Sequence, residues 1–514
     1  MSVAAVSKVN LRAAHFNKIF SEENMKKFSA IVLTVVLCLS AVVALVACGP
    51  QKSTSNFEVP DVGYDGSEVE IKFMNTMGKA LNDKLTQYIA EFNKLYPNIK
   101  VTVDNSIKKY PDLYSDISTN LTVGGQPNIA YCYPDHVAGY NVAKAVVTLD
   151  SLIESTIEVT RADGTTEPLG LTQAQIDDYV KGYWDEGKSY GDGLMYSMPY
   201  SKSTEVLYYN KTFFDEKGIS VPDHWFSKDE NDKTSVEYVC QAILKKDSNN
   251  CIPLGIDSED NWFITMCEQY NSGYTSFNDG VASFDFNNET NREFVKKFSE
   301  WYRKGYFTTQ SILGTYTSSI FKVIPGVKDY AKDAVHSYMS IGSSAGATYQ
   351  RPNALEDNKY PFEVGIARIP QIDNDNPKAI SQGPSVCIFK KDNPQEVVAS
   401  WLLVKYLTTS VEYQAEVSMV SGYMPVIKSA QGNAVYNAWL EKANGGAQIQ
   451  ALSVKVGVAN ENSYYTSPAF VGSAESRTAV GNLMVSCFKI TENIEQQISK
   501  AFQDAIDECE YKAM

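Results

Sequence analysis

The chain has 514 residues, enough for about two to four domains at roughly 150 residues each and for a large buried core. Hydrophobic residues make up 44% and charged residues 21%, which excludes a disordered chain or a protein that crosses a membrane many times. The formal net charge of −15 would repel a phosphate backbone, so we expect no nucleic-acid partner. The 32 tyrosines supply many rings that can combine apolar contact with a hydrogen bond.

The amino-terminal segment has the pattern of a secretion signal. Residues 25–27 (Met-Lys-Lys) form a short basic region, and residues 30–47 form an uncharged apolar run. Residues 1–24 fit poorly ahead of that basic region, so we expect the natural start to be Met25. We therefore assign residues 1–47 to the signal region. An uncleaved anchor helix is the alternative, because the apolar run is about long enough to span a bilayer.

Residues 45–49 (Leu-Val-Ala-Cys-Gly) resemble the bacterial lipobox, in which the cysteine thiol becomes a diacylglyceryl thioether before cleavage in front of it. The resemblance implies a lipoprotein with fatty acyl groups such as palmitate on Cys48, the first mature residue. Small and polar residues follow, so we expect residues 48–67 to form a flexible lipidated tether. A cleaved lipoprotein signal and an uncleaved anchor helix would both place residues 68–514 at the outer face of the bacterial cytoplasmic membrane.

The cysteines and histidines favour neither a disulfide framework nor a metal site. Of nine cysteines, Cys38 lies in the signal and Cys48 at the lipid site, and the other seven include no Cys-x-x-Cys motif. The four histidines show no metal-ligand spacing. We expect buried free thiols, although Cys240 and Cys251 could pair in an oxidising exterior. We expect no metal and no cofactor.

Strand and helix patterns alternate at the start of the mature region. Residues 69–73 and 99–103 alternate polar and apolar side chains as strands do, and residues 79–95 between them repeat apolar side chains at helical spacing. A second helix pattern covers residues 110–121, and a buried strand pattern covers residues 128–133. This order predicts an α/β fold with a mostly parallel sheet and helices on both faces.

Polar side chains follow two of these predicted strands. Asn75 and Thr76 come after the first strand, and Tyr133 and Asp135 come after the third. Because ligands of such sheets bind at the carboxyl ends of the strands, these residues are candidates for one site. Further along the chain we predict a polar surface elaboration and then additional strands and helices: the elaboration at 155–193, strands at 194–214, 334–341, 362–369 and 385–389, and helices at 262–270, 291–306 and 395–407.

Motifs of catalysis are missing or incomplete. No zinc-protease, phosphate-loop or dinucleotide-binding motif occurs. Residues 342–346 match Gly-x-Ser-x-Gly, but all four histidines precede Ser344, whereas a hydrolase of that type needs its histidine later. Acidic pairs such as Asp257 with Glu259 are expected by chance among 61 acidic residues. We therefore expect a protein that is not an enzyme.

Loops rich in glycine and hydroxyl groups occur instead, at residues 340–346 and 381–385, and suit a polar ligand. Three short segments have a sequence and an order along the chain that are typical of one protein family. They are residues 92–97 (Phe-Asn-Lys-Leu-Tyr-Pro), 207–211 (Leu-Tyr-Tyr-Asn-Lys) and 421–426 (Ser-Gly-Tyr-Met-Pro-Val). Together they resemble the extracellular solute-binding protein family that serves carbohydrate ABC importers. The resemblance covers nearly the whole mature region.

The resemblance implies a two-lobed, periplasmic-binding-protein-like fold, with a mostly parallel sheet in each lobe and the ligand in a cleft between the lobes. It implies a substrate-binding component that captures a carbohydrate and delivers it to membrane permease subunits, and we expect a monomer. We expect ligand binding to close the two lobes over the cleft, because the ligand contacts both lobes only in the closed form. The implied lobes are discontinuous, with lobe 1 at 68–203 plus 371–390, lobe 2 at 204–370 plus 391–514, and crossings near 201–206, 366–372 and 388–393.

Within the family, the chain looks most like the branch that includes glycerol-3-phosphate binders, and that branch implies a site with Tyr133, Ser203, Ser344, Gly383, Tyr423 and Arg477. The candidate ligand-binding residues are Asn75, Thr76, Tyr133, Asp135, Ser203, Thr204, Trp262, Ser343, Ser344, Gly383, Tyr423 and Arg477.

The candidate set leaves the charge of the ligand open. Arg477 could grip a phosphate with its two-pronged guanidinium, whereas Asp135 suits the hydroxyl groups of a neutral sugar. We favour a carbohydrate, with glycerol-3-phosphate or another phosphorylated polyol as the alternative. A secreted glycan-degrading enzyme, which needs two carboxylates across the cleft, is the alternative from another class, and a surface adhesin is a third.

Overall fold

Strands and helices alternate through residues 55–229, 231–278, 280–327, 330–355 and 359–513, the part of the chain that the computed structural model describes. The predicted signal region, the start at Met25 and the lipid site at Cys48 lie outside these residues. The strands are β1 Val69–Met74, β2 Ile99–Asp104, β3 Ile129–Cys132, β4 Glu158–Thr160, β5 Thr166–Pro168, β6 Met198–Pro199, β7 Glu205–Asn210, β8 Leu254–Ile256, β9 Thr275–Asn278, β10 Val281–Phe284, β11 Phe307–Thr309, β12 Met339–Ser343, β13 Val364–Arg368, β14 Ala379–Ile380, β15 Ser385–Ile388 and β16 Tyr464–Tyr465.

The α-helices, numbered in the same way, are α1 Lys79–Leu95, α2 Tyr110–Leu121, α3 Pro134–Asn141, α4 Asp150–Ile153, α5 Gln173–Asp178, α6 Lys181–Glu186, α7 Lys211–Lys217, α8 Val236–Lys246, α9 Glu259–Tyr270, α10 Glu289–Arg303, α11 Gln310–Leu313, α12 Ser318–Phe321, α13 Ala347–Gln350, α14 Pro394–Thr409, α15 Val411–Ser421, α16 Lys428–Gln431, α17 Ala434–Leu440, α18 Ile449–Ala459, α19 Ser473–Phe488 and α20 Ile494–Ala513. Short 3₁₀ turns cover Ser344–Gly346 and Glu461–Ser463.

Local sequence signals explain several of these elements. Helix α1 buries Leu85, Tyr88, Ile89 and Phe92, which recur at helical spacing, and it ends just before Pro97. Helix α14 begins where the Asn393 side chain accepts a hydrogen bond from the backbone N–H of Gln395, with a proline in its first turn. The predicted helices at 79–95 and 110–121 are confirmed.

The first sheet has the strand order β2-β1-β3-β15-β6. Strand β1 pairs in parallel with β2 and β3, as the predicted βαβ unit requires. Strand β15 is antiparallel to both β3 and β6. The sheet is therefore mixed, because β15 enters it from another part of the chain and runs against β3.

The second sheet repeats this arrangement with the order β11-β8-β12-β7-β13. Strand β8 is parallel to β11 and β12, and β7 is antiparallel to β12 and β13. Two of the four pairings in each sheet are antiparallel, so the two α/β units are present as predicted but their sheets are not mostly parallel.

Two large hydrophobic cores accompany the two sheets. The first core includes side chains of β1, β3 and β15 together with those of α14 and α15, and it extends to Ala430. The second core joins β7, β8 and β12 to α9, α10, α19 and α20. Residues 394–430 therefore lie with the first sheet, and the prediction that all of 391–514 belongs to the second lobe is wrong for this stretch.

The chain passes between the two sheets along three crossings. The first, residues 200–204 between β6 and β7, lies where it was predicted. The second occupies residues 369–384, between β13 and β15. The third lies between Ala430 and the start of α19 at Ser473. It does not lie at residues 388–393, because α14 packs its buried face against the first sheet. Strands β14 and β16 pair with each other and so join the second and third crossings.

The seven cysteines beyond Cys48 are free, buried thiols, and Cys240 and Cys251 remain separate. Within the described ranges, no helix combines the length and apolar character that a membrane span requires.

Candidate ligand-binding cleft

A cavity of about 640 Å³ lies between the two sheets, with walls from both. Its lining is dominated by tyrosines, carboxylates and hydroxyl groups, a mixture that can pack against a ring face and exchange hydrogen bonds with hydroxyls. The lining residues that carry this chemistry are Tyr110, Tyr133, Asp135, His136, Glu186, Ser203, Asp257, Ser258, Asp260, Asn261, Tyr274, Tyr316, Ser318, Ser343, Tyr349, Gln350, Ser381, Gln382, Tyr423, Thr466, Ser467, Ser473 and Arg477.

Half of the predicted site residues line this cavity. Tyr133 and Asp135 follow β3 on the wall of the first sheet, and Ser203 lies on the first crossing. The structure therefore brings together side chains from both sheets and a crossing, and the six that line the cavity are Tyr133, Asp135, Ser203, Ser343, Tyr423 and Arg477.

Thr76 lines a smaller cavity of about 290 Å³ that shares Tyr110, Tyr349 and Tyr423 with the larger one. Its neighbour Asn75 is fully buried, and the Oδ1 of Asn75 accepts a hydrogen bond of 2.8 Å from the backbone N–H of Met77. Asn75 therefore shapes the turn after β1 and does not line either cavity.

Thr204, Ser344 and Gly383 support the crossings from behind the cavity wall. The backbone N–H of Thr204 donates to Ser344 Oγ at 3.2 Å, and the Ser344 N–H donates to the Thr204 carbonyl at 2.7 Å. Gly383 has φ +88°, and a Cβ there would lie 2.4 Å from the Ser201 carbonyl oxygen. Only glycine fits where the second crossing lies against the first.

The prediction of Trp262 as a ligand-binding residue is wrong. Its ring is buried in the second core, with its centroid 4.2 Å from that of Phe298 and 5.7 Å from that of Trp225. The preceding residues of α9, Asp260 and Asn261, line the cavity instead. Because successive helix residues are turned by about 100°, the side chain after Asn261 points into the core.

Arg477 joins the two walls of the cavity. Its Nε donates to Asp135 Oδ2 at 3.3 Å on the wall of the first sheet, and its Nη1 donates to Asp260 Oδ2 at 3.4 Å on the other wall. Nη1 also donates to Asn261. Burial lowers the pKa of Arg477, but the carboxylates of Asp135 and Asp260 outweigh this and hold it above its usual value. The guanidinium is therefore fully charged and already paired with two carboxylates.

Asp135 and His136 lie at the same end of the cavity, and burial shifts their pKa values in opposite directions. Burial raises the pKa of Asp135, but the charge of Arg477 and hydrogen bonds from Arg477 and from the His136 backbone N–H oppose it, and the pKa of the carboxyl lies below its usual range. Burial lowers the pKa of His136, which favours the neutral imidazole. The pair of Asp135 with Arg477 is therefore the charged contact at this end.

Tyrosine rings form much of the first wall. The rings of Tyr110 and Tyr133 lie 4.6 Å apart between centroids, and Tyr133 also packs against His136 at 5.5 Å. Burial raises the pKa of Tyr423, so its hydroxyl stays protonated and can donate as well as accept. Tyr316 and Tyr349, on the opposite wall, are 61% and 70% exposed. These two rings are accessible to a ligand entering the cleft.

A buried ion pair lies at the floor of the cavity. Lys202 Nζ donates to Glu186 Oε1, and the two side chains are 0% and 3% exposed. Glu186 Oε2 accepts hydrogen bonds of 3.2 Å from Ser381 and from Thr466. Since Lys202, Ser381 and Thr466 belong to the first, second and third crossings, Glu186 contacts all three.

Several lining residues were missed by the sequence interpretation. Glu186 falls in the segment predicted as a surface elaboration, and nothing near it in the sequence marks it as part of a cleft. Asp257 and Ser258 directly follow β8, so the rule that ligands bind at strand ends would have found them if residues 254–256 had been recognised as a strand.

Across the described residues, no group of three or more histidine, cysteine or acidic side chains is placed to hold a metal ion.

Two α/β units, three crossings and a polar cleft between the units define a two-lobed binding protein. The chain belongs to the bacterial extracellular solute-binding protein family, whose pattern matches residues 87–444. It is 25% identical over 290 residues to the sn-glycerol-3-phosphate-binding periplasmic protein UgpB of Rhizobium meliloti (strain 1021), a match that covers 53% of this chain and 58% of that protein. Identity to UgpB of Escherichia coli (strain K12) is 23% over 387 residues, which covers 73% of this chain and 78% of that protein.

Solved structures share the fold. UgpB from Mycobacterium tuberculosis in complex with glycerophosphocholine aligns with a TM-score of 0.65 at 14% identity, covering 87% of this chain and all of that chain. A cyclic α-maltosyl-1,6-maltose binding protein from Arthrobacter globiformis aligns with a TM-score of 0.60 at 16% identity, covering 87% and 98%. At such identities the likeness establishes the two-lobed architecture.

Proposed function

We propose that this protein is the substrate-binding component of an ABC importer and that it captures a carbohydrate in the cleft. The observation that carries the choice of ligand is the pairing of Arg477 with both Asp135 and Asp260. A phosphate at Arg477 would have to displace two carboxylates or lie beside them, which costs Coulomb energy. A ligand with hydroxyl groups meets no such cost, and it can donate to the carboxylates and pack on the tyrosines.

Phosphorylated polyols such as glycerol-3-phosphate are the second candidate ligand class. Two observations favour them. The Rhizobium and Escherichia relatives are sn-glycerol-3-phosphate-binding proteins, and the cleft contains the guanidinium of Arg477, a group that can bind a phosphate. The cleft would then have to rearrange so that Arg477 releases Asp135.

Binding is a better account of the cleft than catalysis. Glycan hydrolysis needs one carboxyl that donates a proton and a second that is free to act as a base or nucleophile. Three of the four carboxylates that line the cavity, Asp135, Glu186 and Asp260, are already held in ion pairs. Turnover of an oligosaccharide by the purified protein would favour the enzyme over the binding protein.

We propose lobes that follow the two sheets, with residues 68–199 and 385–430 in the first and residues 205–368 and 473–513 in the second. Ligand binding then closes the cleft, because Asp135 and Tyr423 on one lobe and Ser343 and Asp260 on the other contact the ligand together only in the closed form.

A ligand screen tests the function directly. We would measure thermal shifts and binding isotherms for the soluble fragment from residue 55 with maltooligosaccharides and with glycerol-3-phosphate. A sugar present at 100 times its Kd should add about 2.7 kcal/mol of stability. Arg477→Ala should leave a neutral sugar bound nearly as tightly, and Arg292→Ala, outside the cleft, serves as the matched control. Tight binding of glycerol-3-phosphate that is lost in Arg477→Ala would replace the carbohydrate by a phosphorylated polyol.

We also propose that a lipid on Cys48 holds the protein at the outer face of the membrane, after removal of a signal that starts at Met25. Residues 45–49 support this by their likeness to the lipobox. Cys48→Ser should leave an unprocessed precursor or release the protein, whereas Cys38→Ser should be processed normally. Membrane retention and normal processing of Cys48→Ser would remove the lipid anchor from the proposal.

A further inference from the structure

One carboxylate in the cleft lacks the counterion that the others have. The carboxylates that line the cavity are Asp135, Glu186, Asp257 and Asp260. Asp135 and Asp260 share Arg477, and Glu186 is paired with Lys202. No ion pair among the described residues includes Asp257, although its side chain lies on the cavity wall. The cleft therefore presents one uncompensated acidic group to its ligand.

The position of Asp257 makes that imbalance costly. The residue is only 7% exposed, at the end of β8, and its Oδ1 accepts a hydrogen bond of 2.8 Å from the backbone N–H of Thr317. Burial raises the pKa of Asp257 to about 6, the Thr317 hydrogen bonds oppose the rise, and Glu259 adds to it. At neutral pH the group is ionised at a free-energy cost that a cation beside it would remove.

A second carboxyl, that of Glu205, lies close enough to Asp257 for the charge of Asp257 to raise its pKa. Glu205 is 3% exposed, and burial together with the charges of Asp260 and Asp257 raises its pKa well above the usual value. Glu205 therefore takes the neutral form, and the charge at this wall remains on Asp257.

The surroundings of Asp257 also suit a cation. A Cβ at Gly342 would lie 2.9 Å from Asp257 Oδ2 and 3.3 Å from Gln350 Nε2, so Asp257 and Gln350 meet at this point of the wall. The Oε1 of Gln350 has no hydrogen-bond partner among the described residues. Tyr316 and Tyr349 line the same cavity, and the face of a tyrosine ring attracts a positive charge.

We propose, on the basis of the proposed carbohydrate-binding function, that the ligand of this cleft carries a protonated amine, as an amino sugar does, and that Asp257 binds it. An ammonium group has three donors, and the carboxylate of Asp257 is a charged acceptor on this wall. The hydroxyl groups of the same sugar remain available to Ser203, Ser343 and Tyr423. Asp257 would disfavour a phosphate at the same point.

A matched series of sugars tests this assignment. The amine members are glucosamine, galactosamine, mannosamine and the β-1,4-linked glucosamine disaccharide. Each is compared with the neutral sugar that carries a hydroxyl in place of the amine and with its N-acetyl form. A charge-assisted hydrogen bond predicts that one amine binds about tenfold or more tightly than both of its counterparts. Asp257→Asn keeps an acceptor for Thr317 and should abolish this preference.

Glu259→Gln is the matched control. Glu259, two residues after Asp257, is buried and accepts a hydrogen bond of 2.8 Å from the Ser311 N–H, but it does not line the cavity. This variant removes a charge from the same region and should keep the amine preference. If Asp257→Asn fails to fold, the wild-type series still decides, because its members differ at one substituent.

The outcomes separate this inference from the proposed function. A neutral or N-acetylated sugar that binds as tightly as its amine, or an amine preference that survives in Asp257→Asn, overturns the inference and leaves carbohydrate binding intact. Binding of glycerol-3-phosphate with no sugar bound counts against the proposed function, and the inference falls with it. No binding across the amine series overturns the inference alone if a maltooligosaccharide binds, and overturns both proposals if none binds.

Discussion

Lys202 and Glu186 form an ion pair closed to solvent at the point where the three crossings between the sheets meet. Lys202 also donates to Ser385 Oγ at 3.0 Å and to the Gly383 carbonyl at 3.3 Å, and Ser385 donates to Glu186 at 3.0 Å. Removing two charges from water costs free energy, and a close ion pair with additional hydrogen bonds offsets that cost. The pair thus holds the crossings together at the floor of the cleft.

Removing one partner of this pair should be strongly destabilising. We expect Lys202→Met to lower the free energy of unfolding by about 3 to 5 kcal/mol, because it leaves Glu186 buried without a counterion. The double variant Lys202→Met/Glu186→Gln should recover much of that loss. Urea unfolding measures both effects.

The exposed pair of Lys500 with Asp504 is the control for Lys202. We expect Lys500→Met to change the free energy of unfolding by less than about 1 kcal/mol. A Lys202→Met protein as stable as the wild type would show that the buried pair is not a structural element of the crossings.

Tyr423 should contribute to ligand binding through its hydroxyl group. We expect Tyr423→Phe to weaken the ligand found by the thermal-shift screen by about 1 to 3 kcal/mol, because a hydrogen bond in the cleft is lost. Tyr436→Phe removes a buried hydroxyl that bonds to Ser418 at 2.8 Å outside the cleft, so it should leave the Kd unchanged. Equal affinities of both variants and the wild type would exclude a hydrogen bond from the Tyr423 hydroxyl to the ligand.

Asp257 should make stability depend on pH. Its pKa rises from an ordinary 3.8 to about 6 on folding, so between these values the folded protein holds a proton that the unfolded chain has released. The free energy of unfolding should therefore fall as pH rises from about 4 to 6, by roughly 3 kcal/mol for this group. Comparing wild type with Asp257→Asn isolates the effect, since the variant lacks the group. A difference between the two proteins that stays constant across this range would contradict the shift.

Gly383 should be intolerant of a side chain. We expect Gly383→Ala to cost more than the roughly 1 to 2 kcal/mol of a positive φ alone, because its Cβ would meet the first crossing. Gly66→Ala is the matched control, with φ +82° and no atom within 4 Å of the added Cβ. Thermal denaturation of both variants measures the difference. Equal losses would mean that the crossings can move apart at no cost.

Local patterns were sufficient for much of the first sheet. Residues 79–95 carry apolar side chains at helical spacing and end at a proline, and residues 69–73 alternate as a strand, so neighbours in the chain determine both elements. The resemblance to the family depends on the order of several short segments along the chain, so it can be recognised even where single residues differ. The α/β class and the two lobes could therefore be predicted from the sequence.

Contacts between distant residues decided the rest. Trp262 and Asn261 are adjacent, yet the turn of the helix places one in the core and the other at the cleft. Glu186 belongs to the cleft only because Lys202, Ser381 and Thr466 approach it from three crossings far apart in the sequence. The balance of charge in the cleft likewise depends on which carboxylates Arg477 reaches. Packing that no local pattern encodes leaves Asp257 without an ion-pair partner among the residues that the structure describes.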